Sequence, residues 1–134
     1  MEKRFITVQD TQREKLNWGT LAWISRPEIT GAKLLTVLEA TLTEGNGHNF
    51  HKHPDQEELI YIISGRVEQW LEKERRILTV GDSIFIPKNI VHCTFNIFPE
   101  DARTLAILSP CVGPEGYESV DVSGQAPWNT LRQR

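Results

Sequence analysis

Gly45-Asn46-Gly47-His48-Asn49-Phe50-His51-Lys52-His53-Pro54-Asp55-Gln56-Glu57-Glu58 carries three of the four histidines of this chain, and His92 follows beyond Gly81 and Pro87. His51 and His53 stand two positions apart. In an extended chain, side chains two apart project to the same side. The two imidazoles therefore face one point, with a carboxylate a few residues on and a further imidazole downstream. Neutral imidazoles and a carboxylate are the ligand set of a divalent transition metal: Mn, Fe, Ni, Co, Cu or Zn.

Outward from this stretch the chain reads as short strands and turns. Leu21 to Ile24 and Lys33 to Leu42 are strand-like. Leu59-Ile60-Tyr61-Ile62-Ile63 is rich in β-branched and aromatic residues and stops at Ser64-Gly65. Arg66 to Glu72 has mixed faces, as expected of a partly covered strand, and Lys73-Glu74-Arg75 reads as a hairpin tip. Arg76 to Val80, Ser83 to Ile86, His92 to Ile97 and Arg103 to Leu108 complete the series, with a turn at Pro99-Glu100-Asp101. No segment sustains a helical period. Short strands without helices predict an all-β sandwich or barrel.

From Ser109 onward, Pro110, Gly113, Pro114, Gly116, Gly124 and Pro127 break the chain into irregular pieces. Residues 109–134 are expected either to form a loose tail or to pack on the domain as a flap anchored by Trp128.

Composition narrows the function. The chain has 134 residues, which suits one domain, and a formal net charge of −3 from 15 basic and 18 acidic residues. Without a basic surplus, neither nucleic acid nor an anionic membrane is an expected partner. A small molecule is the default. The apolar runs are too short to span a bilayer, and the start lacks the apolar core of a signal peptide. Cys93 and Cys111 make no CxxC pair, so a reducing compartment fits, and a cytoplasmic protein is expected.

The two histidine-bearing stretches resemble the two motifs of the cupin superfamily, in particular its small single-domain members of the conserved-barrel type. Gly45, His51, His53, Glu58 and Gly65 match the first motif; Gly81, Pro87, Asn89, His92 and Asn96 match the second. Asn89 stands where the family pattern has glycine, and asparagine tolerates the left-handed backbone region such a turn requires. The resemblance covers about residues 45–96. It implies a jelly-roll β-barrel, or double-stranded β-sandwich, over residues 1–134. It also implies His51, His53, Glu58 and His92 as metal ligands in one mouth of the barrel, and a homodimer as the assembly.

Glu57 is the rival of Glu58. Glu58 fits the spacing to Gly65 and shares parity with Ile60 and Ile62, whereas Glu57 shares parity with Leu59, Tyr61 and Ile63. His48, at an odd offset from His51, is expected to point elsewhere and to serve as a loop or supporting hydrogen-bonder. Asn96 shares parity with His92 and is expected either to orient a ligand or to cap a turn. Tyr61 and Trp70 are expected at a wall or an interface, and Trp18 and Trp23 on a partner subunit. Cys93, next to His92, is expected to face the other way as a buried thiol. The implied activities are those of a metalloenzyme on a small oxygenated metabolite, dioxygenase- or isomerase-like, with decarboxylase and lyase also within the family. The alternatives are a non-catalytic sensor or carrier using the same pocket, and a purely structural metal.

Overall fold

The computed structural model describes residues 3–132. Among these residues, eleven strands form two antiparallel sheets. The first sheet takes the order β1 (Gln12–Leu16), β2 (Gly19–Ser25), β3 (Thr36–Leu42), β10 (Ala102–Ser109), β5 (Glu57–Ser64), β8 (Ser83–Ile86). The second takes the order β11 (Val120–Asp121), β4 (Gly47–Lys52), β9 (His92–Phe95), β6 (Arg66–Leu71), β7 (Glu74–Thr79). The chain passes repeatedly between the sheets, which is the jelly-roll arrangement. Two helices of four residues each, α1 (Pro27–Thr30) and α2 (Trp128–Leu131), are the α-helical elements among the described residues.

Alternation along the central strands places the core. Leu38, Ala40 and Leu42 of β3, Ile60 and Ile62 of β5, and Ala102, Ala106 and Leu108 of β10 point between the sheets and meet Val67, Ile86, Leu21 and Trp23 there. Their neighbours in sequence face outward, the period-two pattern of a sheet with one covered face. Trp23 belongs to this core and is buried within its own subunit, not on a partner as the sequence suggested.

The outer face of the second sheet is also covered, because the C-terminal segment crosses it. Val120 and Asp121 pair with Lys52 and His51. Phe50, Trp70, Cys93 and Val122 form a second apolar cluster, joined by Trp128 and Leu131. The Trp128 ring sits 5.5 Å from that of Phe50. The segment is therefore the anchored flap, and the mixed faces of Arg66 to Leu71 are explained: Val67 and Gln69 face the barrel, Glu68 and Trp70 face the flap. Arg75 and Arg132 each donate to Glu68, at 2.7 and 2.9 Å, and their charges offset its burial and hold its carboxyl below the usual range.

Two buried side chains tie the flap down from the other side. Gln56 donates to the carbonyls of Pro110 (2.8 Å) and Gly116 (3.0 Å) and accepts from the Glu118 amide (3.2 Å). Thr36 donates to the Gly116 carbonyl at 2.6 Å.

Candidate metal centre

β4 carries His48 and His51, and His53 follows at its end. The strand passes so close to β9 that a Cβ on Gly47 would collide with the Thr94 carbonyl and the Phe95 backbone, so only glycine fits. The register then slips. His48 lies opposite Thr94, whereas His51 lies opposite His92, so β4 uses one residue more than β9. This β-bulge reverses the parity expected from sequence. His48 and His51 point to the same side, and their rings stack with centroids 3.4 Å apart. The expectation that His48 points elsewhere is thus corrected: it lines the cavity beside His51.

The second motif meets the first through the backbone. Asn89 adopts φ 62°, in the left-handed region, and its amide donates to the His53 carbonyl at 2.9 Å. The turn after Pro87 then delivers His92 across from His51.

His51, His53 and His92 are buried, and each offers a nitrogen within 4.8 Å of the others. Every one of these rings has its Nδ1 on a backbone carbonyl: His51 on Asn49 (2.6 Å), His53 on Glu118 (2.7 Å), His92 on Ile90 (3.0 Å). A carbonyl only accepts, so Nδ1 carries the proton and donates it. In the neutral rings Nε2 is then a bare lone pair, the form that coordinates a metal. The Nε2 atoms of His53 and His92 lie 3.2 and 3.0 Å from Glu58 Oε1. All three atoms are buried without a hydrogen-bond partner. Lone pairs facing a carboxylate oxygen at such distances repel unless a proton or a cation lies among them. The donor set fits a divalent transition metal.

Without a cation, a proton fills that role. Burial disfavours a charged His53, but the hydrogen bond and charge of Glu58, with the Glu118 carbonyl, outweigh it and raise its pKa. Burial likewise opposes ionisation of Glu58, yet His53 and His92 overcome it and hold its carboxyl at about 2. His51 is driven well below its usual value, first by burial and then by the neighbouring imidazoles. His48 is lowered to about 3 for the same reasons.

The cavity around these groups has about 50 Å³ of room for water-sized molecules. Leu21, Leu38, Ala40, Leu42, Ile60 and Ala106 make its walls apolar, while Thr94 and Thr104 add hydroxyls. The mouth is framed by Trp18, stacked on His48 at 4.3 Å, and by Tyr117, whose ring lies 5.1 Å from that of His53. Burial pushes the Tyr117 phenol well above its usual range, so it stays protonated.

The remaining sequence expectations sort by sheet face. Glu58 points inward and is buried, while Glu57 is exposed on the outer face. Tyr61 shares that outer face and is 43% exposed, so it forms no part of the pocket; strand parity puts both there. Asn96 makes no contact with the cluster. Its amide donates to Leu42 and Glu100, and its Oδ1 accepts from Phe98, so it closes the turn after β9. Trp18 lines this chain's own cavity, and Trp70 lies under the flap. Cys93 is fully buried facing away from the site, and burial raises its thiol pKa far above normal. Sequence reading missed Tyr117 and Glu118. They lie more than sixty positions from His53 in an aperiodic stretch, and nothing local marks them.

Comparison with known proteins agrees with this fold. The family model described as "Cupin domain" matches residues 38–108, more than half of the chain. "Polyketide synthase CurC" of Streptomyces cyaneus is 28% identical over 94% of this chain and 82% of its own length. "Pectin degradation protein KdgF" of Dickeya dadantii is 30% identical over 67% of this chain and 78% of its own. Among solved structures, KdgF from Halomonas sp. superposes with a TM-score of 0.72 at 19% identity, covering 83% of this chain and 96% of that one.

Proposed function

The chain belongs to the cupin family, and from that premise we propose that it is a metal-dependent enzyme, dioxygenase- or isomerase-like, acting on a small oxygenated metabolite. One observation carries the reading: His53 Nε2 and His92 Nε2 lie 3.2 and 3.0 Å from Glu58 Oε1, and all three atoms are buried without hydrogen-bond partners. His51, His53, His92 and Glu58 would hold a divalent cation, whose Lewis acidity would polarise a ligand oxygen.

The chain's own groups prepare the site for this. The Asn49, Glu118 and Ile90 carbonyls fix the three rings in one tautomer and orientation. The apolar walls keep bulk water away from a bound ligand and strengthen every charge interaction inside. Tyr117 keeps its proton and can donate a hydrogen bond at the mouth. His48 stays neutral, and its ring, stacked between those of Trp18 and His51, backs the His51 imidazole. The names of the two curated relatives, a polyketide synthase and a pectin degradation protein, both concern oxygen-rich carbon skeletons and support that substrate class.

Elemental analysis of the purified protein, followed by reconstitution with each candidate metal and assay on diketones, flavonols and oxalate-like acids, tests the proposal. A near-stoichiometric metal and turnover of one class are expected. Stoichiometric metal with no turnover in any loaded form, together with a ligand that only raises the melting temperature, would instead favour a sensor or carrier. The homodimer is proposed on the family relationship alone; a monomer by sedimentation equilibrium removes it.

A further inference from the structure

A second chamber of about 360 Å³ adjoins the metal cavity. Trp18, Leu21, His48 and Tyr117 line both spaces and form the boundary between them. The inner cavity, about 50 Å³, holds a handful of waters at the roughly 10–15 Å³ each requires. A metabolite of more than a few heavy atoms that reaches the histidines would extend past these four side chains towards the outer chamber.

Gln12, Glu14 and Trp23 form one wall of that chamber, because residues paired across β1 and β2 share a face. Glu115, Tyr117 and Ser119 of the flap form the other. Arg26, just past β2, stands over the Trp23 indole with its guanidinium carbon 4.3 Å from the ring centroid. One of its nitrogens, Nη2, donates to the neutral Gln12 Oε1, while Nε is buried without a partner. No described carboxylate forms an ion pair with it. Glu14, in the same chamber, already accepts from Trp23 Nε1 at 3.1 Å. A guanidinium has five donors in a planar fork shaped for a carboxylate. Here a single neutral acceptor answers them.

We propose that Arg26 is an anion subsite: it receives the carboxylate of a ligand whose other end, an oxygen donor, sits at the histidine cluster. This rests on the metal reading above and specifies its substrate class. Two aromatic rings separate Arg26 from His53, with steps of 4.3 Å to Trp23, 5.6 Å on to Tyr117 and 5.1 Å on to His53. An acid that answers both ends has to reach past these two rings, which favours one longer than oxalate. The substrate class is therefore a larger acid with its reacting oxygen several bonds from the carboxylate. Its middle would pass between Trp18 and Tyr117.

Calorimetric titration of the metal-loaded full chain with acetate, octanoate and suberate tests this. Suberate is expected to bind at least tenfold tighter than octanoate, its equal in chain length with one carboxylate fewer. Arg26→Gln should abolish that preference and leave acetate affinity unchanged, and Arg26→Lys should keep part of it. Melting temperatures of both variants report whether the fold is intact, and the lysine variant keeps the charge should the glutamine variant fail to fold. Equal binding of suberate and octanoate by the wild type, or a preference that survives in Arg26→Gln, overturns the role of Arg26 while leaving the metal site standing. A chain that takes up no divalent metal overturns both readings.

Discussion

The His48 ring lies on the His51 ring with centroids 3.4 Å apart and planes 14° from parallel, although three positions separate them in one strand. The bulge between them makes this possible by adding a residue to β4. Trp18 extends the stack from the β1–β2 turn at 4.3 Å and 10°. His51 is thereby held between its Nδ1 bond to Asn49 and an aromatic face. A ligand ring restrained in this way loses little freedom when it coordinates.

His51→Ala should therefore remove most bound metal and keep the barrel. The core between the sheets consists of other residues, from Leu21 to Leu108. Metal stoichiometry after dialysis should fall at least tenfold, with the far-ultraviolet dichroism unchanged. Full metal content in the variant would show that His51 is not a ligand. Chelation of the wild type should likewise leave a folded protein, in contrast to a purely structural site, where stripping unfolds the chain.

Acid should act on the metal-free protein through the same rings. His48 titrates at about 3 in the fold against 6.5 when unperturbed. Between those values the unfolded chain binds a proton that the folded chain refuses, so stability falls as pH drops from 6.5 towards 3. His51, lowered well below 6.5, pulls the same way. Glu58, held at about 2 against 4.5, contributes stability that is fully present above 4.5 and lost progressively as pH falls from there through about 2. His53, raised above 6.5, contributes below 6.5 and loses its share as pH rises through its folded value. Urea midpoints of the metal-free protein should thus drop from pH 6.5 to 4, and His48→Gln should flatten that limb. An unchanged slope in the variant would place the acid sensitivity elsewhere. In the loaded protein the same pH range should release metal, since protonated imidazole does not coordinate.

Much of this was legible in the sequence where the chemistry is local. Ser83–Ile86 is a strand with the expected bounds, because a short apolar run ends at a proline. Glu58 was separable from Glu57 because parity along β5 is uninterrupted, with alternating exposed and buried positions up to Ile62. β1 was not legible: Gln12-Arg13-Glu14-Lys15-Leu16 is a charged edge strand whose exposed face carries no apolar alternation. His48 was misjudged because a bulge changes parity without any residue that announces it. The docking of the flap was illegible for another reason. Its anchors, Thr36 with Gly116 and Gln56 with Glu118, join residues 80 and 62 positions apart.

The cysteines offer a check on the covered face of the second sheet. Cys93 is fully buried with Phe50, Trp70 and Val122, and burial disfavours its thiolate. Cys111 is only half-buried. A thiol reagent should label one cysteine per native chain, Cys111, and two after denaturation. Rapid native labelling of Cys93, mapped by peptide mass, would mean that the flap does not cover this sheet.

Gln56 offers the sharpest test of whether the flap is part of the metal centre. Its amide serves the Pro110 and Gly116 carbonyls and the Glu118 amide, and it is 1% exposed. The Glu118 carbonyl in turn orients His53. Gln56→Leu keeps roughly the bulk, removes all three bonds and leaves buried groups unanswered. At about 0.5–1.5 kcal/mol per bond, with a further penalty for each orphaned group, it should cost about 2–4 kcal/mol of unfolding free energy in urea. Because His53 loses its fixed partner, metal affinity should fall as well, by about tenfold at the magnitude typical for removing an outer hydrogen-bond partner of a ligand. A variant that is destabilised by that amount yet binds metal as tightly as the wild type would separate the flap from the site and assign it to stability alone.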